Sequence, residues 1–512
     1  MVIGAGVGGL ATAARLATAG HDVTVLERAP TVGGKVGLRV WDLPEGQFRF
    51  DTGPSLLTMP QVFADLFIET GAPMAEVLEL RRLDPIARYR WPDGSGFAAV
   101  SDPAGFAAEL DRCLGTGAGE DWRRLRTRAE RMWAAAEDPF LNSPIHSVTD
   151  LLSLARQADR IPTIAPWQTL RGLGRRHLRD ERLRMFLDRY ATYTGSDPRR
   201  SPAVLATIPY VEQTFGGWYV EGGLRVLVEA MAHRARAAGA TIRTGARVRR
   251  IGLVAGAVDH VVWTASENPA EGHYEPASVV VANADASVVY DSLLDGASSP
   301  GLARARRQLH RAPRSLSGFV LLLALRGRTS GLAHHTVLFP ADQASYDAEF
   351  DAVFGFKEPA RPVADPTVYV TSPSDRQVHP EGHEAWFVLV NAPRHGRGAP
   401  YAPATLDWRE PGLSDRYAAQ VLAVLARRGL DVRDRILRME AITPAELGRA
   451  GGTPGGAIYG TSSNGWRASF LRPANRSPVP GLYLVGGSTH PGGGLPLAAL
   501  SAQITAGLVG PA

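Results

Sequence analysis

Three glycines near the start of the chain have the spacing of a phosphate-binding turn. Gly4, Gly6 and Gly9 follow a short apolar segment and precede an Ala-rich stretch, 10–19, that Gly20 closes. In a strand, turn and helix unit, the first glycine permits the tight turn, the second lets the backbone approach a pyrophosphate, and the third lets helix and strand pack closely. The unpaired N–H groups at the helix N-terminus then bind the phosphates. The pattern therefore predicts a dinucleotide site.

A carboxylate follows at the distance that a ribose requires. Residues 23–26 predict a second parallel strand, and Glu27 stands at its end, about 20 residues beyond the glycines. An acid at this place accepts hydrogen bonds from ribose hydroxyls and suits a ribose without a phosphate. We include the adjacent Arg28 among the predicted cofactor-binding residues. Because strand, turn, helix and acid agree, dinucleotide binding is favoured over a chance glycine pattern.

Two further turns indicate which dinucleotide is bound. The first follows the ribose-binding acid and the second follows Asp51; together they comprise Gly33, Gly34, Lys35, Gly53, Pro54 and Ser55. Both turns resemble those of the amine-oxidase and carotenoid-desaturase branch of flavoproteins, in which the second turn brings backbone close to the flavin ring. The resemblance implies that the cofactor is FAD and that these residues contact it.

The carboxyl-terminal region repeats the arrangement of strand, glycine turn and helix. Residues 482–485 predict a short buried strand, and 497–509 predict an Ala-rich helix. Glycine loses much backbone entropy on folding, so several glycines together favour a close ligand approach over a plain loop. The turn offers N–H groups to an anion or to the pyrimidine edge of a flavin. Its predicted cofactor-binding residues are Gly486, Gly487, Gly494, Leu495 and Pro496.

Together with the block 470–477, Phe-Leu-Arg-Pro-Ala-Asn-Arg-Ser, this turn resembles the signature of the bacterial-type phytoene desaturase family, the FAD-dependent carotenoid desaturases. Segments 186–203 and 216–223 are similar to other parts of that family. The resemblance implies an α/β fold, with a Rossmann-like FAD-binding domain interleaved with a mixed α+β substrate domain. It also implies that the backbone of Val248 faces the adenine. FAD is expected to be noncovalent, because Cys113, the only cysteine, lies far from the carboxyl-terminal region where amine oxidases often attach flavin.

The expected domains are discontinuous. The FAD-binding domain is predicted to comprise residues 1–80, 215–290 and 450–512. The substrate and membrane-facing domain is predicted to comprise residues 81–214 and 291–449.

Within the second domain, strands are predicted at 368–371 and 386–390, with a loop at 354–356. The longest apolar run, 319–325, is about a third of the roughly 20 residues that a membrane-spanning helix needs. Cys113 is predicted to be a buried small hydrophobe.

The resemblance implies dehydrogenation of a long acyclic polyene. Removing hydride from an unactivated carbon chain needs an acceptor that no side chain provides, so flavin must carry that step. Tyr193, Arg189 and His490 are polar groups that could remove a proton or stabilise a carbocation, but each also has an ordinary structural interpretation. We therefore assign no catalytic residue. The pair His334 and His335 has no third ligand nearby, which predicts a structural role and no metal site.

The segment 458–465 and the sequence Gly-Gly-Ser at 486–488 look more like the branch that acts on already desaturated or end-modified carotenoids. Candidate reactions are 3,4-desaturation of hydroxylated acyclic carotenoids and terminal oxidation of a linear polyene. Two other function classes remain open. One is another FAD-dependent, amine-oxidase-like oxidoreductase, and the other is a flavin-free prenyl-binding protein of the same fold.

The net charge of +5 and a pI near 9.4 favour an anionic surface as partner. Nucleic acid is disfavoured because no helix-turn-helix, zinc or basic-aromatic pattern is present. A hydrocarbon substrate is taken from a bilayer, so we expect a cytoplasmic protein bound peripherally to the inner face of the cell membrane. The amino terminus has no visible secretory signal. The predicted membrane contact spans Ile161 to Arg189, where Trp167, Leu170 and Leu173 accompany a run of arginines. The alternative is a solvated arginine-rich helix.

Overall fold

The computed structural model describes residues 1–141, 143–144, 160–356, 358–396, 405–465 and 472–512. The strands are β1 (Val2–Ile3), β2 (Thr24–Leu26), β3 (Leu38–Leu43), β4 (Gly46–Asp51), β5 (Leu57–Thr58), β6 (Leu80–Leu83), β7 (Ala87–Arg90), β8 (Gly96–Ala99), β9 (Gly217–Val220), β10 (Thr241–Arg243), β11 (Ala246–Val254), β12 (Ala257–Ala265), β13 (Gly272–Pro276), β14 (Val280–Ala282), β15 (Ser317–Arg326), β16 (His335–Leu338), β17 (Val368–Thr371), β18 (His383–Ala392), β19 (Arg394–His395), β20 (Thr405–Leu406), β21 (Ile436–Ile442) and β22 (Leu482–Leu484).

The α-helices are α1 (Val7–Thr18), α2 (Pro60–Glu69), α3 (Pro103–Leu114), α4 (Ala118–Ala136), α5 (Arg160–Ile164), α6 (Leu170–His177), α7 (Glu181–Arg189), α8 (Thr207–Phe215), α9 (Leu224–Ala237), α10 (Ala286–Val288), α11 (Pro300–Arg311), α12 (Gln343–Phe354), α13 (Leu413–Arg427), α14 (Pro444–Gly451) and α15 (Leu495–Val509). In the described part of the chain, no helix is both long enough and apolar enough to cross a bilayer.

A five-stranded parallel sheet has the order β10-β2-β1-β14-β22. Its strands are short and apolar, and β1 pairs in register with both neighbours, so Ile3 lies between Leu26 and Ala282. Helices α1, α9 and α15 pack together beside it. The helices begin slightly earlier than predicted, α1 at Val7 and α15 at Leu495, because Gly6 and Gly494 serve as their N-caps. The sheet thus brings glycine turns from both ends of the chain to one edge.

The second large sheet has the order β21-β15-β18-β17-β16-β7-β8 and is antiparallel except between β16 and β7. The apolar run 319–325 forms the interior of β15, and strands cover both predicted segments, 368–371 and 386–390. The loop predicted at 354–356 is partly wrong. Phe354 ends α12, and Gly355 closes that helix in the left-handed conformation, which glycine adopts without steric cost.

Helices α3 to α8 form a layer around a buried aromatic cluster. Phe186 lies at its centre, with ring centroids 4.7 Å from Tyr89, 5.1 Å from Trp122 and 5.4 Å from Tyr190. Such aromatic contacts contribute roughly 0.5–1.5 kcal/mol each beyond the burial of their area. Cys113 on α3 is half-buried, with Sγ 3.5 Å from a Glu109 carboxylate oxygen, so its predicted full burial is wrong.

The predicted membrane contact also needs correction. Leu170 and Leu173 are 0% and 1% exposed and face the core, and Arg171 is buried in ion pairs with Asp188 and Asp347. The periodicity of α6 was therefore correct as an amphipathic pattern, but its apolar side packs against protein. Trp167, at 69% exposed, does face solvent.

Candidate functional site

The first glycine turn forms a close-packed cradle. A Cβ on Gly9 would lie 2.0 Å from the carbonyl oxygen of Gly4, and Gly4 itself has a φ of +92°. The N-cap Gly6 has no side chain to cap α1, and the first turn of the helix carries no acid. The amide oxygen of Asn283, oriented so that both of its amide atoms are paired, accepts from the N–H groups of Gly6 at 3.3 Å and Gly9 at 3.2 Å, which leaves the N–H groups of Val7 and Gly8 for an anion. Asn283, which follows β14, packs against the same glycines. Asn283 was not among the residues predicted from the sequence, although a polar residue directly after a buried strand is typical of a binding site.

Glu27 connects three segments. Its carboxylate accepts hydrogen bonds from the N–H groups of Ala5 at 2.7 Å and Ala29 at 2.8 Å. The backbone oxygen of the same residue accepts from Ala246 at 2.8 Å. Val248 lies two residues further along β11, so the structure brings it to the same edge as Glu27. Arg28 points elsewhere, because its guanidinium donates to the carbonyls of Arg449 and Ala450, at 2.7 and 2.6 Å.

The turn at Gly33 joins the first cradle to the turn at Gly53. The N–H of Gly33 donates to Ala5 at 2.8 Å, and Gly34 packs against Gly6. A Cβ on Gly53 would lie 2.0 Å from the carbonyl oxygen of Lys35. The three predicted turns, 4–9, 33–35 and 53–55, therefore form one continuous wall.

Lys35 is a cation of this wall. Its side chain is accessible, but it lies deep among protein atoms, and burial lowers its pKa. Nζ donates to the carbonyl of Ile458 at 2.5 Å. Two further charged groups, Asp285 and Arg472, act on its pKa in opposite directions. The sequence reading missed both of these residues as site residues, because the fold brings them from distant segments.

The carboxyl-terminal turn meets the first one directly. A Cβ on Gly8 would lie 3.1 Å from Cα of Gly486. Helix α15 also begins without a side-chain cap or an acid in its first turn. Arg472 supports the turn from behind, donating to the carbonyls of Tyr459 and Gly487, and burial lowers its pKa to about 10. The N-termini of α1 and α15 therefore lie close together, with Arg472 behind the second turn.

A cavity of about 410 Å³ continues from these turns into the helical layer. Its lining is mainly apolar. At one side it is bounded by the predicted residues Gly53, Pro54, Ser55, Gly494, Leu495 and Pro496. At the other it is bounded by Trp133, Ala136, Phe140, Leu141, Val204 and Ile208.

One wall of the cavity is polar. Oη of Tyr369 lies 2.9 Å from Oγ of Ser55 and 2.6 Å from Nδ1 of His335. Burial lowers the pKa of His335 well below its usual value, and lowers that of His334 to about 3. Burial also raises the pKa of Tyr369. At neutral pH these three side chains are uncharged, and in the described residues no cluster of three metal-ligating side chains occurs.

The three polar candidates from the sequence, Tyr193, Arg189 and His490, all line this cavity. Arg189 is the last residue of α7, whose N-cap Asp180 accepts from the N–H groups of Arg182 and Leu183. Its guanidinium donates to Oη of Tyr193 at 3.0 Å. His490 lies across the cavity, with Nε2 3.0 Å from the carbonyl oxygen of Ser143.

Comparison with known proteins gives the family. The family model described as flavin containing amine oxidoreductase matches residues 7–379. A 4,4'-diapolycopene oxygenase of a Methylomonas species is 32% identical, over 98% of this chain and 96% of its own length. This chain belongs to the flavin-containing amine oxidoreductase family, in its carotenoid desaturase branch. Within that family, a hydroxyneurosporene desaturase of Cereibacter sphaeroides is 33% identical, over 98% of this chain and 95% of its own.

Solved structures agree on the fold. An oxidoreductase from Methanosarcina mazei superposes with a TM-score of 0.62 at 18% identity, covering 98% of both chains. As a member of this family the protein is an FAD-dependent oxidoreductase. Its own residues fit the cofactor: a Cβ at Gly4 or Gly9 would clash inside the cradle, α1 and α15 begin without a capping side chain on the N-cap residue, and the cation Lys35 lies beside the same turns.

Proposed function

We propose that this protein is a desaturase that removes hydrogen from long acyclic carotenoids, with oxygenated or already partly desaturated polyenes as its substrates. The observation that carries the proposal is the cavity, because its mainly apolar lining leads directly from the glycine turns into the helical layer. A linear hydrocarbon suits such a space, since burying each CH₂ contributes about 0.8 kcal/mol. The two relatives, named as an oxygenase and a desaturase of carotenoids, support the same substrate class.

The cofactor-binding roles follow from the placement of the turns. Glu27 accepts hydrogen bonds from the ribose, and the N-terminus of α1 holds the diphosphate with Lys35. The backbone at Val248 faces the adenine. The turns 53–55 and 486–496 hold the ring system. Arg28 acts by fixing β2 to α14, since carbonyl groups of that helix occupy its guanidinium.

FAD supplies the hydride acceptor that no side chain can provide. In the overall change two C–H bonds break and one C=C bond forms, with one hydrogen leaving as hydride and the other as a proton. The chain's own residues orient the polyene along the cavity and exclude water from it. The same placement supports the domain boundaries that the sequence predicts, with the parallel sheet and its turns in the FAD-binding domain and the seven-stranded sheet in the substrate domain.

The test begins with the cofactor. Purified protein is expected to be yellow, and acid precipitation is expected to release FAD into the supernatant. Colourless protein that cannot be reconstituted would favour a flavin-free prenyl-binding protein. Flavin that stays with the precipitate would contradict noncovalent binding.

The second step is the substrate. Separate incubations with phytoene, with lycopene and with a hydroxylated acyclic carotenoid are followed by the absorption shift of the lengthened polyene. Conversion of the hydroxylated or desaturated compounds is expected. Conversion of phytoene alone would overturn the substrate preference, and oxidation of an amine instead would favour another flavoenzyme.

We further propose that the protein takes its substrate at a membrane surface, at a contact smaller than the one predicted. Ile164 packs in one cluster with Ala136 and Phe140, which line the cavity, and the exposed Ile161 and Trp167 lie close by in the chain. The exposed Arg175 and Arg176 on α6 would meet anionic headgroups, at roughly 1 kcal/mol each.

Flotation on vesicles tests this contact. Replacing Ile161 and Trp167 with Ser is expected to reduce binding to both anionic and neutral vesicles, whereas Arg175→Gln with Arg176→Gln reduces binding to anionic vesicles only. Val254→Ser is the matched control, because Val254 is 60% exposed on a distant strand. Unchanged flotation of both double variants would mean that the surface lies elsewhere.

A further inference from the structure

The polar wall of the cavity contains a buried charge whose hydrogen-bonding capacity is largely unused. Arg189 is only 8% exposed, and it lines the cavity. A guanidinium carries five N–H donors, but among the described residues Arg189 makes one side-chain hydrogen bond, to Tyr193, and no carboxylate lies within ion-pair distance. By contrast, the buried Arg171 on α6 pairs with two carboxylates. The remaining N–H groups of Arg189 are therefore free to donate to an acceptor inside the cavity.

A second polar side chain lies at this wall. Tyr346 also lines the cavity, is fully buried, and its Oη has no hydrogen-bond partner in the described part of the chain. A buried hydroxyl without a partner has lost its hydrogen bonds to water without replacing them, which is unfavourable. Of the two, only Arg189 keeps accessible surface, at 8% against 0% for Tyr346, so its free N–H donors are the ones that indicate a polar atom of the ligand.

The charge of Arg189 is balanced by the carboxylate of Glu212, to which it is linked through Tyr193. Oη of Tyr193, which accepts from Arg189, lies 3.4 Å from a carboxylate oxygen of Glu212, and Tyr190 donates to the other oxygen at 2.7 Å. Because Glu212 already compensates the guanidinium through Tyr193, an uncharged oxygen fits better than a carboxylate. A hydroxyl or carbonyl oxygen accepts from Arg189 without adding charge to the buried cluster.

A role in stabilising a carbocation is physically unfavourable for this residue. Burial opposes the charge of Arg189, but the surrounding tyrosines hold its pKa well above the usual value, so the side chain stays positive. A positive guanidinium repels positive charge that develops on a carbon chain when hydride leaves. Arg189 is therefore suited to binding an acceptor and not to stabilising a cation.

The location of Arg189 sets the reacting bond near one end of the polyene. Its guanidinium lies 5.3 Å from the ring centroid of Tyr369, whose hydroxyl is 2.9 Å from Ser55. The guanidinium also lies 5.9 Å from the ring centroid of Tyr89, which belongs to the buried aromatic cluster around Phe186. An end group held at Arg189 thus leaves only a few carbons before the turn at Ser55.

We infer that Arg189 is a specificity-determining residue that binds a terminal hydroxyl or carbonyl oxygen of the polyene, and so directs dehydrogenation to a bond near that end. The inference rests on the proposed carotenoid desaturase function and adds the residue that selects the substrate.

The experiment compares kcat/KM for two acyclic polyenes of equal length, one with a terminal hydroxyl and one without. The wild-type protein is expected to prefer the hydroxylated polyene by about tenfold or more. Arg189→Met is expected to bring the ratio close to one, and Arg189→Lys, which keeps one charged donor group, to an intermediate value. Arg112→Met, on the exposed side of α3, is the control and keeps the wild-type ratio. A ratio that Arg189→Met leaves unchanged would overturn the inference.

Binding separates this inference from the proposed function. Quenching of tryptophan fluorescence by each polyene gives dissociation constants without turnover, and FAD content reports folding of each variant. If the wild type converts neither polyene, the desaturase function fails; if it also binds both equally, the inference fails independently. Should Arg189→Met not fold, Tyr193→Phe removes the partner that orients Arg189 and is expected to reduce the binding preference. Retention of the full preference by both Tyr193→Phe and Arg189→Lys would then count against the inference.

Discussion

The carboxylate of Glu27 accepts a hydrogen bond from the N–H of Ala5 at 2.7 Å, which ties the end of β2 to the first glycine turn. Glu27 is 7% exposed, and its second oxygen accepts from Ala29. One side chain therefore both shapes the cradle and stands where a ribose would lie. A substitution of Glu27 therefore has two separable effects, one on the stability of the FAD-free protein and one on the affinity for FAD.

Glu27→Ala is expected to weaken FAD retention by about 1.5–3 kcal/mol, because hydrogen bonds to a charged group are lost. Glu27→Gln keeps one acceptor oxygen and is expected to lose less. Retention is measured by flavin fluorescence after gel filtration, and the melting temperature of the FAD-free protein reports the structural share. Glu120→Ala, exposed on α4, is the control. Unchanged retention in Glu27→Ala would remove the ribose role from this residue.

Gly9→Ala is expected to abolish FAD binding, because the added Cβ would lie 2.0 Å from the carbonyl oxygen of Gly4 and force the turn apart. Overpacking of this kind typically costs about 1–3 kcal/mol or more. The matched control is Gly507→Ala in α15, where the new Cβ meets no atom within 4 Å. That control is expected to raise stability by about 0.5–1 kcal/mol, since alanine favours helix. Flavin absorbance gives the FAD content of each variant, and the urea midpoint gives its stability. Normal FAD content in Gly9→Ala would contradict the role of this turn in binding FAD.

Local patterns predicted the glycine turns at the starts of α1 and α15, which the structure confirms as turns, and they also singled out three polar residues that line the cavity. They did not predict which distant residues contact these groups. The turns at Gly4, Gly33 and Gly486 are recognisable in the sequence, because glycines follow short apolar strands there. The cluster of Arg189 and Tyr369 draws on chain segments 180 residues apart, and no local pattern encodes that contact. For Leu170 the helical periodicity was right, but periodicity does not say whether the apolar face meets a lipid or the core.

Arg171→Met is expected to destabilise the fold by about 3–5 kcal/mol, because it leaves the buried Asp188 carboxyl without its partner. Burial already raises the pKa of Asp188 to about 7, so in this variant the carboxyl is expected to take up a proton at neutral pH. Combining it with Asp188→Leu is expected to recover part of the loss, since both charges then disappear. Urea unfolding provides the measurement. The control is Arg376→Met, whose ion pair with Glu381 is 81% and 80% exposed and contributes about 1 kcal/mol or less. A loss of stability from Arg171→Met no larger than that of the control would mean that the packing of α6 does not depend on this ion pair. The interpretation of α6 as an exposed helix at the protein surface would then be favoured again.

Asp51 gives the fold a pH dependence with a definite sign. Its carboxylate accepts from the N–H groups of Leu224 at 2.8 Å and Arg225 at 3.3 Å, but burial dominates and raises its pKa to about 6. The unfolded value is about 3.9. Between these values the folded state binds more protons than the unfolded state, so the contribution of Asp51 to stability is fully present below pH 4 and decreases as the pH rises to about 6.

Asp51→Asn removes this titration, so the melting temperature of the wild type minus that of the variant is expected to fall between pH 4 and pH 6 and to stay level above it. Measurements at saturating FAD keep the cofactor contribution constant across the series. Asp431→Asn serves as the contrast, because hydrogen bonds from Arg433 lower the pKa of Asp431 to about 2. Its difference is expected to change only below pH 4 and with the opposite sign. A difference for Asp51→Asn that rises with pH would show that the hydrogen bonds from Leu224 and Arg225 outweigh burial at this carboxylate, and one that does not change between pH 4 and pH 6 would show that they cancel it.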